Sequence, residues 1–236
     1  MAHISKETFK NFFKYYKSQL HQEAGVGNLY DQMRDVLKDD THNWIRTYRD
    51  KHKDTSSNPL AVPFQSQNDN LSGTGYRECF SSSCAMVAMY YGKIANDDDY
   101  NLVRQKYGDS TDPHAQVRTL RSLGLEANFI TNATTCDLRE AIDAGRPVPC
   151  GWLHHGSVDA PYGGGHYSVV IGYDNENWIM NDPNGQARLD IGGYTSELNG
   201  DHLYYSFKEW NPRWIVEGEN SGWLLDIRLP KSSKSY

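Results

Sequence analysis

Three side chains that together can carry out nucleophilic acyl chemistry, a thiol, an imidazole and a carboxylate, stand at Cys79, His166 and Asp182. A thiol attacks efficiently only as a thiolate, and the unpaired backbone N–H groups of a helix N-terminus stabilise that form. Cys79 lies where the polar loop NDNLSGTGYRE gives way to the apolar run FSSSCAMVAMYY, so it falls at the start of an expected helix. Cys84 lies more than a turn into that run, where inert packing suits it better. His166 follows a run of glycines and opens the strand-like HYSVVIGY, while Asp182 ends the strand-like WIMND. A hairpin turning at DNEN would bring both to its open end, where a carboxylate can accept one ring N–H and fix the imidazole tautomer. Taken by itself, Asp182 beside Pro183 also reads as a turn residue. Gln67 precedes Cys79 by twelve positions. Its amide, with the backbone N–H of the nucleophile, could stabilise an oxyanion by about 2.7–4 kcal/mol per donor. Gln65 is an equally legal donor by chemistry alone.

The elements that must position these groups follow from periodicity. Cys79–Tyr91 reads as a buried helix closed by Gly92, and residues 96–108, 112–123 and 137–144 read as further helices. Strands are expected at Val148–Leu153, Tyr167–Tyr173, Trp178–Asn181 and Trp223–Leu229. Helices first and an antiparallel sheet afterwards make an α+β arrangement. Ahead of it, residues 1–55 hold three short amphipathic segments, a small helical unit joined by the polar run KDTSSNP.

Composition excludes several classes. A net charge of −6 argues against nucleic acid as the main partner, because phosphate binding needs a basic face. No run approaches the length of apolar sequence that a membrane span requires, so membrane insertion is not expected. The N-terminal MAHISKETFKNFFKYYK lacks the apolar core of a secretory signal, which predicts cytoplasmic synthesis. Cys79, Cys84, Cys136 and Cys150 are irregularly spaced and lack a CxxC, so neither a disulfide framework nor a zinc site is expected. Asp97–Asp99 lacks the regular ligand spacing of a calcium loop and reads as a solvated helix start. No metal and no cofactor is expected.

The order VPFQSQNDN, RECFSSSCAMVAMYYG, GGGHYSVVIGYDN, NDPNG resembles cysteine peptidase family 39 and its stand-alone relatives, within the papain clan. The resemblance covers roughly residues 60–230. It implies a papain-like fold, N-terminal helices packed on an antiparallel sheet, preceded by the helical unit. Residue by residue, it implies oxyanion donor, nucleophile, base and orienter for Gln67, Cys79, His166 and Asp182. The chain departs from the best-known members in carrying Phe80 where they have glycine after the nucleophile. Those members cut double-glycine leader peptides inside transporters; this sequence has no transporter segments, so that substrate is not carried over.

The stretch GWLHHGSVDAPYGGGH, with GGYTSELNG and YSFKEWNPRWIVEGENSGW, resembles stand-alone relatives from bacteriophage lysis and virion proteins. It implies a peptidase acting on the peptide part of bacterial peptidoglycan at the host wall, with substrate contacts at Trp152, His154, Gly164 and Gly165. As neighbours on a strand, His154 and His155 should face opposite ways, leaving at most one in the cleft. The alternatives are a peptidase that processes a virion or toxin precursor, and a papain-like binding module without catalysis. Endopeptidase and amidase chemistry use the same triad.

Overall fold

The computed structural model describes residues 59–196 and 199–230; the expected helical unit of residues 1–55 lies outside them. Five helices are named in chain order: α1 (Cys79–Tyr90), α2 (Asp97–Arg104), α3 (Pro113–Ser122), α4 (Thr135–Asp143) and α5 (Phe207–Trp214). The strands are β1 (Glu126–Ala133), β2 (Val148–Trp152), β3 (His166–Tyr173), β4 (Asn177–Asn181), β5 (Gln186–Ala187), β6 (Tyr194–Ser196), β7 (Leu203–Ser206) and β8 (Gly222–Arg228). Six of them form one antiparallel sheet in the order β1-β8-β2-β3-β4-β7, and β5 with β6 make a separate ribbon.

The centre of the sheet is apolar on both faces because it is covered on both. Along β3, Val169 and Ile171 pack with α1, α2 and α3, while Val170 packs with α4 and α5 on the other side. Leu224 and Leu225 of β8 divide in the same way. This is the expected period-2 alternation of a strand, with both classes of position hydrophobic. The expected helices on one face are therefore joined by a second layer, where Leu138, Trp210 and Trp214 pack against Trp152 and Trp178.

The expected elements around the chemistry are present with small boundary shifts. The α1 helix is buried nearly all round, which is why its sequence shows little amphipathicity. It runs behind β2 and β3, and its last turn is tied to the sheet by Tyr91 Oη donating to the Ile227 carbonyl at 3.2 Å. Phe80, at the position of the family's glycine, is fully buried and stacks on Tyr167 with ring centroids 3.5 Å apart. The bulk after Cys79 is thus absorbed inward, while Cys79 itself stays partly exposed.

Two expectations are corrected. The order is not helices and then sheet, since β1 intervenes between α3 and α4. Asp97 is not a solvated helix start: it is 4% exposed and accepts a 2.6 Å hydrogen bond from Ser82 Oγ. Burial pushes its carboxyl up to about 6 despite that hydrogen bond.

Because Phe80 fills the space between α1 and β3, Phe80→Ala should cost about 3–5 kcal/mol of stability, the usual toll for truncating a buried phenylalanine. Chemical denaturation monitored by tryptophan fluorescence measures this; a loss below about 1 kcal/mol would mean that the stack is not a packing element.

Candidate active site

Cys79 is the first residue of α1, and it is partly exposed. The residue before it, Glu78, caps no backbone N–H of the helix. Its buried carboxylate instead gathers the preceding loop, accepting from Asn70 Nδ2 at 2.7 Å, Ser72 Oγ at 2.8 Å and Thr74 Oγ1 at 2.9 Å. Asn101 Nδ2 donates to it from α2 at 3.3 Å. The loop over the start of the helix is therefore fixed by one anion with several donors, a stronger device than neutral pairs would give. The other thiols are held in their neutral form. Burial pushes Cys84 and Cys150 up, and burial with the carboxylates of Glu219, Asp137 and Glu140 raises Cys136.

His166 opens β3 and Asp182 follows directly on β4, the paired strands that the hairpin reading expects. His166 Nε2 meets Asp182 Oδ1 at 2.7 Å, and both side chains are essentially buried. The carboxylate is held by further donors: Tyr205 Oη at 3.0 Å on Oδ2 and the Asn184 N–H at 3.0 Å on Oδ1. Trp152 and Tyr194 close over the imidazole, each edge-on, with centroids 5.4 and 5.5 Å away. The Cys79 sulfur acts electrostatically on the same ring. With Nε2 engaged by Asp182, the nitrogen left for sulfur is Nδ1. Burial works against the imidazolium, but Asp182 and the Cys79 sulfur outweigh it and raise the ring to about 10. An anionic sulfur beside an imidazolium is the pair needed for attack on a carbonyl and protonation of its leaving group.

Gln67 is buried as well. Its Nε2 donates to the Gly75 carbonyl at 2.9 Å, and its backbone N–H donates to the Pro183 carbonyl at 2.9 Å. The first bond orients the amide and leaves its second N–H free to donate; the second ties this segment to the turn that carries Asp182. Gly75 is required by this approach, since a Cβ there would sit 2.0 Å from the Gln67 carbonyl oxygen. Gln65 is committed elsewhere, with Oε1 accepting the Asp97 N–H at 3.3 Å.

The expected substrate contacts fare differently. Trp152 is 2% exposed and its Nε1 donates to Ser168 Oγ at 2.9 Å. It packs edge-on against the imidazole and, being buried, offers no face to a substrate, which corrects that expectation. Gly164 and Gly165 are exposed with open space around them, forming a lip just ahead of His166. His154 stands 5.6 Å from the His166 ring, and His155 does not point the opposite way: the two rings lie 3.9 Å apart. Strand alternation fails there because the chain leaves the sheet after Trp152. Tyr194 and Tyr205, which shield and hold the pair, receive no role from the sequence; both fall within the stretches GGYTSELNG and YSFKEW of the wider likeness, but residue type alone does not set them apart there.

A family model described as the Peptidase_C39 like family matches residues 59–197. The chain belongs to that family. No curated protein matches this C39-like chain by sequence. It is similar in structure to a double glycine motif protease from an AMS/PCAT transporter solved in complex with the leader peptide (18% identity, 75% of this chain and 97% of that one, TM-score 0.48). It is also similar to the peptidase domain of Streptococcus ComA, a bi-functional ABC transporter (20% identity, 66% and 93%, TM-score 0.43). A third similar structure is the Carica candamarcensis cysteine protease CMS1MS2 in complex with E-64 (12% identity, 73% and 95%, TM-score 0.46). Among the described residues of the C39-like chain, no helix is long and apolar enough to cross a membrane.

The imidazolium depends on Asp182. In the intact protein it should persist through neutral pH and be lost only as pH rises through about 10. Asp182→Asn should bring that loss down toward the ordinary 6.5, followed by ¹⁵N NMR of the His166 ring. Alkylation of Cys79 by iodoacetamide at pH 7 should slow at least about tenfold in the variant. An unchanged titration would show that the carboxylate does not hold the charge.

Proposed function

We propose that this chain is a cysteine peptidase that hydrolyses peptide bonds of bacterial peptidoglycan, acting as a phage-type endolysin. The observation that carries the peptidase reading is the buried 2.7 Å pair of His166 and Asp182, whose ring is also acted on by the Cys79 sulfur. The cell-wall substrate is supported by the likeness of GWLHHGSVDAPYGGGH to bacteriophage lysis proteins and by the exposed glycine lip that this stretch forms beside His166.

In the proposed reaction the Cys79 thiolate adds to the scissile carbonyl carbon, and its negative charge passes to the carbonyl oxygen. The Cys79 backbone N–H, at the open first turn of α1, and the free Nε2 hydrogen of Gln67 stabilise that oxyanion. The carbon–nitrogen bond breaks as His166 Nδ1 gives its proton to the departing amine, leaving a thioester and a neutral imidazole. Water then attacks the thioester while Nδ1 takes a proton from it. Collapse releases the carboxylic acid product and restores the thiolate and imidazolium. Asp182 keeps its proton-free form throughout, holding Nε2–H and the ring's orientation. Trp152 and Tyr194 keep bulk water from the ring, so the charges interact in a medium less polarisable than water.

Purified peptidoglycan from several bacteria tests the reading. The protein should release muropeptides with new termini, identified by mass spectrometry, and Cys79→Ala should abolish the release. Gln67→Ala should lower kcat by about 10²–10³-fold with a smaller change in KM, as removal of one oxyanion donor does. Cleavage of a virion or toxin precursor without release of wall fragments would replace the substrate but keep the chemistry. Lysis by the Cys79→Ala protein would overturn both.

A further inference from the structure

One group beside the site has no part in the chemistry just described. His154 follows β2, and its Nδ1 is shut off from solvent with no hydrogen-bond partner. The ring is packed among His155 (3.9 Å), His166 (5.6 Å), Tyr194 (6.0 Å) and Trp152 (6.5 Å), measured between centroids. Its Nε2 is not shut off in that way, and it belongs to a ring centred 5.6 Å from that of His166. Protonating Nε2 and leaving Nδ1 bare avoids burying an unpaired N–H, so the Nε2 edge carries a donor.

The backbone on both sides of His154 is clamped by a buried cation. Arg213, from α5, is 0% exposed and donates through Nη1 to the Leu153 and His155 carbonyls, each at 3.1 Å. Its Nη2 reaches the Gly156 carbonyl at 2.6 Å, and its Nε reaches the Leu189 carbonyl at 3.1 Å. Gly193 N–H then donates to the His154 carbonyl at 2.8 Å, closing the β5–β6 turn onto this segment. Gly163 lets the opposite loop close as well: its φ is +124°, and a Cβ there would approach His155 Cδ2 to 2.8 Å. Among the described residues no carboxylate lies within ion-pair distance of Arg213; Asp190 and Glu209 act on it only from further away. A guanidinium bound wholly by carbonyls keeps its full charge, and that charge reaches its surroundings through a medium that screens poorly.

We propose that His154, held by the Arg213 clamp, forms a subsite for a carboxylate that the peptide substrate carries close to its scissile bond. Nε2–H of His154 donates to this carboxylate, and the positive field of Arg213 and His166 favours an anion over a neutral carbonyl. Burial, with the same field added to it, pushes the His154 ring down to about 4, and no carboxylate opposes the shift. Asp182 is no substitute for the missing anion, because its oxygens are already taken by His166, Tyr205 and the Asn184 N–H. Stem peptides of cell walls carry free carboxylates, so this subsite deepens the peptidase reading and rests on it only for what the bound peptide then undergoes.

Blocked hexapeptides of alanine and glycine carrying Glu, or its uncharged isostere Gln, at each position in turn test the proposal. At one position the protein should cleave the Glu peptide with a kcat/KM about tenfold or more above that of the Gln peptide, mostly through KM. His154→Gln and His154→Leu should each reduce that ratio to under about twofold, with thermal unfolding verifying that both variants fold. Binding of the same peptides to the Cys79→Ala protein, by calorimetry, reads the ratio without turnover. Selective binding without cleavage by the intact protein would therefore sink the peptidase reading and leave the subsite standing. A Glu-to-Gln ratio near one in both assays, a ratio untouched by the His154 variants, or no binding of any Glu peptide overturns the subsite.

Discussion

An imidazolium almost closed off from water is costly unless an anion lies against it, and the rest of this molecule is arranged so that one does. The 2.7 Å contact between His166 and Asp182 couples two strand ends, and the carboxylate is in turn committed to Tyr205 and the Asn184 N–H. Removing either partner would strand a buried charge, which is why such pairs weaken a fold when broken even where forming them adds little. The pair does more than stabilise. It engages the ring through Nε2 and, against burial, helps to raise the imidazole to about 10, so the ring carries its charge at neutral pH.

The other elements are coupled to that pair through the backbone. The Gln67 N–H on the Pro183 carbonyl links this segment to the turn that carries Asp182, and Gly75 can lie against the Gln67 backbone carbonyl because it has no Cβ. Glu78 gathers the loop before Cys79, so α1 begins at a fixed place relative to β3. Preorganisation here is a matter of hydrogen bonds between segments remote in sequence, with a packed sheet beneath them that resists adjustment. Arg213 plays the corresponding part for the wall ahead of His166, and it does so with backbone carbonyls instead of a counter-charge.

Some of the departures between expectation and structure have a common cause. The edge strands β1 and β7 were not read as strands, because each has a half-exposed face and polar residues that blur alternation. The α5 helix carries Pro212 within it and begins at a serine cap, a sequence with little helical signal of its own. Its tryptophans are held in place by the second core layer. Asp97 and Trp152 were read as exposed groups, and both are buried; in each case a partner distant in sequence, Ser82 or Ser168, accounts for it.

Chain order, residue type and local pattern were enough to determine the thiol at a helix start, the histidine at a strand start and the carboxylate at a hairpin's open end. They also determined the α+β class and the family, because helix starts, period-2 strands and turn residues are local properties of the sequence. Only the tertiary structure buried Gln67 and tied it to the turn that carries Asp182, showed that Phe80 can replace a glycine, and brought His154 and His155 to one side. Those outcomes depend on which remote segment supplies a hydrogen bond or fills a space, and such pairings are absent from any short window of the chain.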